Sequence, residues 1–351
     1  MILSRVLLFP YWLVLRIRNA RYDSGRGKEV QHPLPVISVG NVTVGGTGKT
    51  PMVEYLARLL RDKGRVAVLS RGYRRRSKGF RLVEADDTAD MAGDEPLQIK
   101  RKFPEALVAV DKDRNGAISR MLALPPEQRP DVVLLDDGFQ YRKIKPALDL
   151  VLVDYNRPVY KDELLPFGRL RDLPEHIRRA MAVVVTKSPQ HLDTLDRAEL
   201  RRKMHLRPEQ LLFCSTVRYG DPLPVFPEEA DRRYVYSKEV YLFTGIADDR
   251  PLQVHLTDSY PRIFHKRFGD HHRFTRGDLR ALAREVRRNP RALLLTTEKD
   301  AMRLLHCRHV DAEVRRRLFY VPIETEFLTR EEKEAFDLQI LRCVQDDGLS
   351  F

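Results

Sequence analysis

An α/β fold with a mostly parallel sheet is predicted by three observations. An apolar run, Leu34-Pro35-Val36-Ile37-Ser38-Val39, leads into the glycine-rich stretch Thr43-Val44-Gly45-Gly46-Thr47-Gly48-Lys49-Thr50, and that stretch leads into a helical pattern. Uninterrupted Val/Leu runs recur along the first half of the chain, as expected where helices cover both sheet faces. One of them, Val132-Val133-Leu134-Leu135, ends on the acidic pair Asp136-Asp137. In such a sheet ligands sit at the carboxyl ends of the strands.

The elements follow in order. Residues 34–40 read as the first strand. Thr50 to Lys63 reads as a helix, with Val53, Leu56, Leu59 and Leu60 on one face, Pro51 in the first turn and Gly64 as terminator. Residues 65–70, 106–110, 131–135, 148–153 and 182–185 read as further strands. The composition shifts after Val217. Residues 219–236, with Pro222, Pro224 and Pro227, read as a linker or hinge. A second alternation follows, with strands at 240–243, 292–296 and 318–322, a helix at 279–286 and a charged helical pattern from Arg330. The expected organisation is an N-terminal segment (1–20), a P-loop NTPase-type domain (21–218), a linker (219–236) and a smaller C-terminal α/β domain (237–351).

With 351 residues, 42% hydrophobic and 32% charged, the chain has ample core and is neither disordered nor an integral membrane protein. The net charge of +13 points to anionic partners: nucleic acid, an acidic membrane surface or phosphorylated substrates. Cys214, Cys307 and Cys343 are scattered, which fits a reducing compartment without a disulfide framework or zinc spacing. Val6 to Leu15 is nearly all apolar, contains Trp12, and is flanked by Arg5, Arg16, Arg18 and Arg21. It is shorter than the roughly 20 apolar residues that span a bilayer. It reads either as a helix lying on a membrane surface or as a first helix packed on the core.

The glycine-rich stretch has the context of a phosphate-binding P-loop. Backbone N–H groups of Gly45, Gly46, Thr47 and Gly48 turn toward phosphate oxygens, Lys49 reaches the β- and γ-phosphates, and the Thr50 hydroxyl ligates Mg²⁺. The position usually held by the first glycine is Thr43. ATP and Mg²⁺ are the expected ligands. Asp136 and Asp137 form a Walker-B-type strand end that holds the metal directly or through water, either acid serving as the inner ligand. Transfer to a hydroxyl also needs a proton acceptor. Gly93-Asp94-Glu95-Pro96 and Gly269-Asp270-His271-His272 are candidates, though Asp94 could be a helix cap and the histidines structural. Arginines after the second strand, with Arg114 and Arg171, suit phosphate.

The ordered motifs S-V-G-N-x-x-x-G-G-T-G-K-T-P (38–51), S-R-G-Y (70–73), G-D-E-P (93–96), D-R (113–114), L-L-D-D-G-F-Q (134–140), L-L-P-x-G-x-L-R (164–171), D-H-H-x-F-T (270–275) and T-T-E-K-D-A (296–301) together resemble the tetraacyldisaccharide 4′-kinase family. The resemblance implies ATP-dependent phosphorylation of the 4′-hydroxyl of a tetraacyldisaccharide 1-phosphate in lipid A biosynthesis. It also implies action at the cytoplasmic face of the bacterial inner membrane, with the N-terminal segment on a surface of anionic lipids and no nucleic-acid partner. It carries the base onto Asp94 assisted by His271, phosphate binding onto Gly45, Gly46, Gly48, Lys49 and Thr50 of a loop in which Thr43 and Thr47 are also expected to contact the nucleotide, metal binding onto Thr50, Asp136 and Asp137, and substrate contacts onto Arg71, Arg114 and Arg171. The chain departs from the family pattern at Tyr141, at Asp172 and in Pro146-Ala147-Leu148. The competing expectation is a nucleotide-switched P-loop ATPase that binds membrane or nucleic acid.

Overall fold

The computed structural model describes residues 2–346, with side chains described for residues 8–345. The first part of the chain runs α1 (Ile2–Asp23), β1 (Val36–Gly40), α2 (Lys49–Leu60), β2 (Val66–Ser70), β3 (Arg81–Leu82), α3 (Ala89–Ala92), α4 (Asp94–Lys102), β4 (Leu107–Val110), α5 (Arg114–Leu122), β5 (Val132–Asp136), β6 (Leu148–Asp154), β7 (Ala182–Thr186), α6 (Thr194–Lys203) and β8 (Leu211–Tyr219). It continues with β9 (Leu223–Pro224), β10 (Glu239–Thr244), α7 (Arg250–Thr257), β11 (Arg262–Arg267), α8 (Arg276–Arg288), β12 (Leu293–Thr297), α9 (Glu298–Leu304), α10 (Ala312–Arg317), β13 (Leu318–Val321), β14 (Ile323–Phe327) and α11 (Arg330–Asp346).

The larger sheet has the order β14-β8-β7-β6-β1-β5-β2-β4-β3. Its interior is parallel, and only the edge strands β14 and β3 run antiparallel to their neighbours. Alternate residues of each strand enter different apolar layers. Ile37, Val39, Val68, Val108 and Leu134 pack with Met52, Val53 and Leu56 of α2 and Leu97 and Ile99 of α4. Val36, Ala67, Leu69, Val133 and Leu135 pack with Ala117, Ile118 and Met121 of α5. Burial on both faces explains why these strands read as uninterrupted apolar runs. β1 lies between β5 and β6, so the strand order reverses there. A crevice opens at such a switch point, beyond the carboxyl end of the strand. The register pairs Val39 with Asp136, which brings the tip of β5 beside the start of the glycine-rich loop.

The smaller sheet has the order β11-β10-β12-β13-β9, with β9 antiparallel. One face carries Val240, Leu242, Leu293, Leu295 and Phe319 against Leu252 and Leu256 of α7. The other presents Phe243, Leu294 and Leu318 to the stripe Leu279, Leu282, Ala283 and Val286 of α8. That helix starts on a capping box between Thr275 and Asp278. This second face belongs to the same apolar cluster as α2 and α4, so the two sheets share a core.

The segment expected as one C-terminal unit, 237–351, is divided between the sheets. β14 pairs with β8 and α11 follows it, while residues 347–351 lie outside the described residues. The expected linker, 219–236, carries β9, which pairs with β13.

Helix α1 has two apolar stripes. Leu8, Trp12 and Leu15 pack against the cluster that contains Leu173, Ile177, Leu200 and Met204. Phe9, Leu13, Val14 and Ile17 are exposed. The side chains of Arg5 and Val6, part of the apolar N-terminal run, lie outside those described. Among the described residues, no helix is long and apolar enough to cross a membrane.

Candidate active site

The glycine-rich loop joins β1 to α2. Gly48, at the N-cap of α2, has φ +83°, a left-handed conformation that glycine adopts without the steric cost of a Cβ. The loop is tied on two sides. Asn41 donates through Nδ2 to the Thr47 hydroxyl at 2.6 Å, and the Thr186 hydroxyl at the end of β7 donates to the Thr47 carbonyl at 3.0 Å. The 164–171 segment runs alongside, with Val44 N–H donating to the Arg169 carbonyl at 2.8 Å and Arg171 N–H to the Val42 carbonyl at 2.9 Å. Thr43 is buried in this pairing, opposite Leu170, without a positive φ, which is why a residue other than glycine fits there. Lys49 Nζ stands 3.5 Å from Asp137 Oδ1.

Two acids close the other wall, and they differ in environment. Asp136 is 1% exposed, and its Oδ2 accepts a 3.1 Å hydrogen bond from the Ser70 hydroxyl, whereas Oδ1 is buried without a partner. Burial first, then the nearby carboxylates of Glu95 and Asp137, push its pKa up to about 7. Asp137, at φ +54°, accepts both arms of the Arg171 fork, one at 2.7 Å. Burial would raise its pKa, but the Arg171 hydrogen bond and Lys49 outweigh it and hold the group well below the usual carboxylate range. The Arg171 guanidinium also reaches Asn41 Oδ1 at 2.5 Å. Arg114 is buried, and its Nη2 donates to the carbonyls of Asp136 and Asp137 at 2.9 Å each. An orphaned carboxylate oxygen beside a phosphate-binding loop fits a divalent cation, whose charge would remove the like-charge penalty. Among the described residues no cluster of three or more His, Cys, Asp or Glu could hold a metal ion. An ion here would therefore complete its shell with phosphate oxygens and water.

Asp94 is the first residue of α4, following Gly93 at φ +96°. Its Oδ1 accepts the Glu95 N–H at 3.1 Å. Its Oδ2 accepts from Arg303 Nε at 3.1 Å and from Arg303 Nη2, and lies 3.3 Å from His271 Nδ1. Burial would raise the Asp94 pKa, but the His271 hydrogen bond and the charges of Arg303 and Lys299 outweigh it and hold it far below the carboxylate range. The next residue, Glu95, pairs with Lys299. Asp94 comes from the larger sheet's side and His271, Lys299 and Arg303 from the smaller sheet's side, so the site lies between the two. Removing Arg303 from its buried pair with Asp94 leaves an uncompensated charge, at a cost of about 3–5 kcal/mol.

The fold thus gathers the predicted residues at one end of the larger sheet, with differences in detail. Arg71 is exposed just beyond β2, near enough to Arg114 for the two guanidinium groups to repel each other. Arg114 and Arg171, expected to touch substrate, direct their guanidinium groups at protein acceptors. His272, beside His271, stacks on Phe268 and meets Asp278 at 2.9 Å, a packing role. Asn41, Lys299 and Arg303 were not among the predicted site residues. Asn41 and Lys299 lie inside quoted motifs, S-V-G-N and T-T-E-K-D-A, and Arg303 lies two residues beyond the second.

A family model described as tetraacyldisaccharide-1-P 4′-kinase matches residues 1–345. A tetraacyldisaccharide 4′-kinase of Parabacteroides distasonis is 41% identical over 336 residues, 94% of this chain and 91% of that protein. One of Bacteroides thetaiotaomicron is 38% identical over 349 residues, 96% of this chain and 91% of that protein. The crystal structure of LpxK from Aquifex aeolicus in complex with ATP superposes with a TM-score of 0.72 at 30% identity, covering 97% of this chain and 99% of that one.

Proposed function

The chain belongs to the tetraacyldisaccharide 4′-kinase family, and from that premise we propose how its residues serve ATP-dependent phosphorylation of the 4′-hydroxyl of tetraacyldisaccharide 1-phosphate in lipid A biosynthesis. The observation that carries the proposal is the meeting of Asp94 with His271 and Arg303 beside the P-loop and the β5 acids. The backbone of Gly45 through Gly48 and the Lys49 ammonium hold the β- and γ-phosphates of ATP. Thr50 and Asp136 hold Mg²⁺, with Asp137 beside them. Mg²⁺, when bound, supplies charge neutralisation between the phosphates. The free Asp136 oxygen favours it as the inner ligand, because both oxygens of Asp137 are already taken up by Arg171 and Lys49.

Asp94 takes the proton of the 4′-hydroxyl. The sugar oxygen forms its bond to the γ-phosphorus, the bond from that phosphorus to the bridging oxygen breaks, and the electron pair leaves on the β-phosphate of ADP. Positioning and charge neutralisation dominate such a transfer. Arg71, exposed at the rim, is the arginine placed to meet a substrate phosphate. Arg114 and Arg171 act through the acids they hold. The exposed stripe Phe9, Leu13, Val14 and Ile17, with Arg16 over the Trp12 ring at 4.9 Å, suits a peripheral seat on the anionic cytoplasmic face of the inner membrane, where an acylated acceptor resides. The reading as a nucleotide-switched ATPase has no support beyond the P-loop and the basic charge.

Steady-state kinetics with the lipid acceptor test the assignment. Lys49→Ala and Asp94→Asn should each lower kcat by about 10²-fold or more. Wild-type kcat in Asp94→Asn would remove it as the base.

A further inference from the structure

Arg303 lies at the centre of the contact between α4 and α9. All five of its N–H groups have partners. Nε donates to Asp94 Oδ2 at 3.1 Å, and Nη2 donates to the same oxygen and stands 3.1 Å from His271 Nδ1. Nη1 donates to Asp300 Oδ1 at 2.7 Å and to the Gly245 carbonyl at 3.0 Å. A guanidinium carries five such donors and accepts nothing, so this one is fully spent. The side chain is 8% exposed. Asp300 is fixed in turn, because its Oδ2 accepts the Gly245 N–H at 2.8 Å and the Thr297 hydroxyl at 2.7 Å.

His271 Nδ1 lies 3.1 Å from Arg303 Nη2 and 3.3 Å from Asp94 Oδ2, so it accepts from the guanidinium or donates to the carboxylate according to its tautomer. In either tautomer Arg303 donates twice to Asp94 Oδ2. Asp94 Oδ1, which accepts only the Glu95 N–H, is the oxygen left to receive a proton.

We propose that Arg303 is a positioning residue for the phosphoryl transfer, clamping the Asp94 carboxylate and the His271 ring in one arrangement from the opposite side of the cleft. The proposal rests on Asp94 being the proton acceptor. The clamp also makes the base conditional on the packing of α9 against α4. Other charged groups around Asp94 are Glu95 on its own helix, Lys299 and Asp300 on α9, and His271 and Asp270 on the loop after β11.

The test is the pH dependence of kcat/KM from about pH 5 to about pH 9, with kcat and the KM for ATP, in Arg303→Ala, Arg303→Lys and Asp94→Asn. Without Arg303 the carboxylate stays buried but loses its main cation, so its pKa rises. Arg303→Ala should lower kcat about 10²-fold and bring into this window an acid limb that wild type lacks, with the KM for ATP changed less than about 3-fold. Arg303→Lys keeps the charge without the fork, so like wild type it should show no acid limb in this window while kcat falls about 10-fold. Arg303→Ala with wild-type kcat and no acid limb would overturn the proposal. So would a lowered kcat with no acid limb and no recovery in Arg303→Lys, the pattern of mere packing. Should Arg303→Ala fail to fold, wild-type kcat in Arg303→Lys would overturn it. Wild-type kcat in Asp94→Asn would instead sink the base assignment and take this role with it.

Discussion

Arg171 joins three parts of the site, two through its guanidinium and one through its backbone. It forks onto Asp137, reaches Asn41 beneath the glycine-rich loop, and through its backbone pairs with Val42. Charge-assisted hydrogen bonds of this kind contribute about 1.5–3 kcal/mol. Arg171→Ala should therefore lower kcat/KM for ATP by about 10- to 100-fold, and Arg171→Lys should recover little, because a single ammonium cannot fork. Unchanged steady-state constants would show that the brace does not matter. Asp136→Asn should lose activity and weaken the dependence of the rate on Mg²⁺, while retention of both would move the inner ligand to Asp137. Much of this was legible in the sequence, because the loop's glycines, Lys49 and the β5 acids are contiguous or sit at a strand tip. Arg303 was not. Its partner Asp94 is 209 positions away, and only the fold brings the two together.

At the scale of elements, α1 combines docking on the core with an outward apolar stripe. Replacing Phe9, Val14 and Ile17 together by serine should weaken binding to anionic vesicles by about 10-fold or more while leaving Tm nearly unchanged, since all three are exposed. Unaltered vesicle binding would leave α1 as a core helix alone. The junction of α2, α4 and α9 carries a different signal. Lys102 bridges two buried carboxylates, Glu54 at 2.6 Å and Glu298 at 3.2 Å. Burial and then the Glu54 charge push Glu298 up to about 7. Between its unfolded value near 4.5 and about 7, the folded protein holds a proton that the unfolded chain has released, so stability falls as pH rises through that window. The loss is on the order of 3 kcal/mol once complete. Melting curves should show a drop in Tm from about pH 5 to about pH 8 that is smaller in Glu298→Gln by a few degrees. An identical drop in both would exclude Glu298 as its source. Sequence reading found most strands with uninterrupted apolar runs, but missed β8, whose Leu-Leu-Phe-Cys start passes into Ser-Thr-Val-Arg-Tyr, and the strands without such runs. β11 is Arg-Ile-Phe-His-Lys-Arg at a sheet edge, and β14 alternates as Ile-Glu-Thr-Glu-Phe with only Phe327 buried. Neither carries a both-faces-buried pattern, and their pairing depends on partners far along the chain.

Across the whole molecule, the chain leaves the larger sheet after β8, builds the smaller sheet, and returns through β14 and α11. The double crossing and the shared apolar cluster hold the two sheets against each other along the α4–α9 contact. A proline- and charge-rich stretch after Val217 marked the crossing in the sequence, but nothing local marked the return. Asp94 and Glu95 stand on one side of the contact and His271, Lys299 and Arg303 on the other, so a base at Asp94 would draw its partners from both units. A base assembled in this way would limit transfer to water until the acceptor is seated. Acceptor-free ATP hydrolysis should accordingly be slower than transfer by about 10²-fold or more, a ratio that phosphate release assays read directly. The central claim is that the P-loop side supplies phosphate and Asp94 receives the hydroxyl proton of a lipid acceptor. Transfer from γ-labelled ATP to tetraacyldisaccharide 1-phosphate in detergent micelles, run with wild type and Asp94→Asn in parallel, tests it most directly. The account predicts label in the lipid with wild type and about 10²-fold less with Asp94→Asn. ATP hydrolysis without labelled lipid, or equal transfer by both proteins, would contradict it.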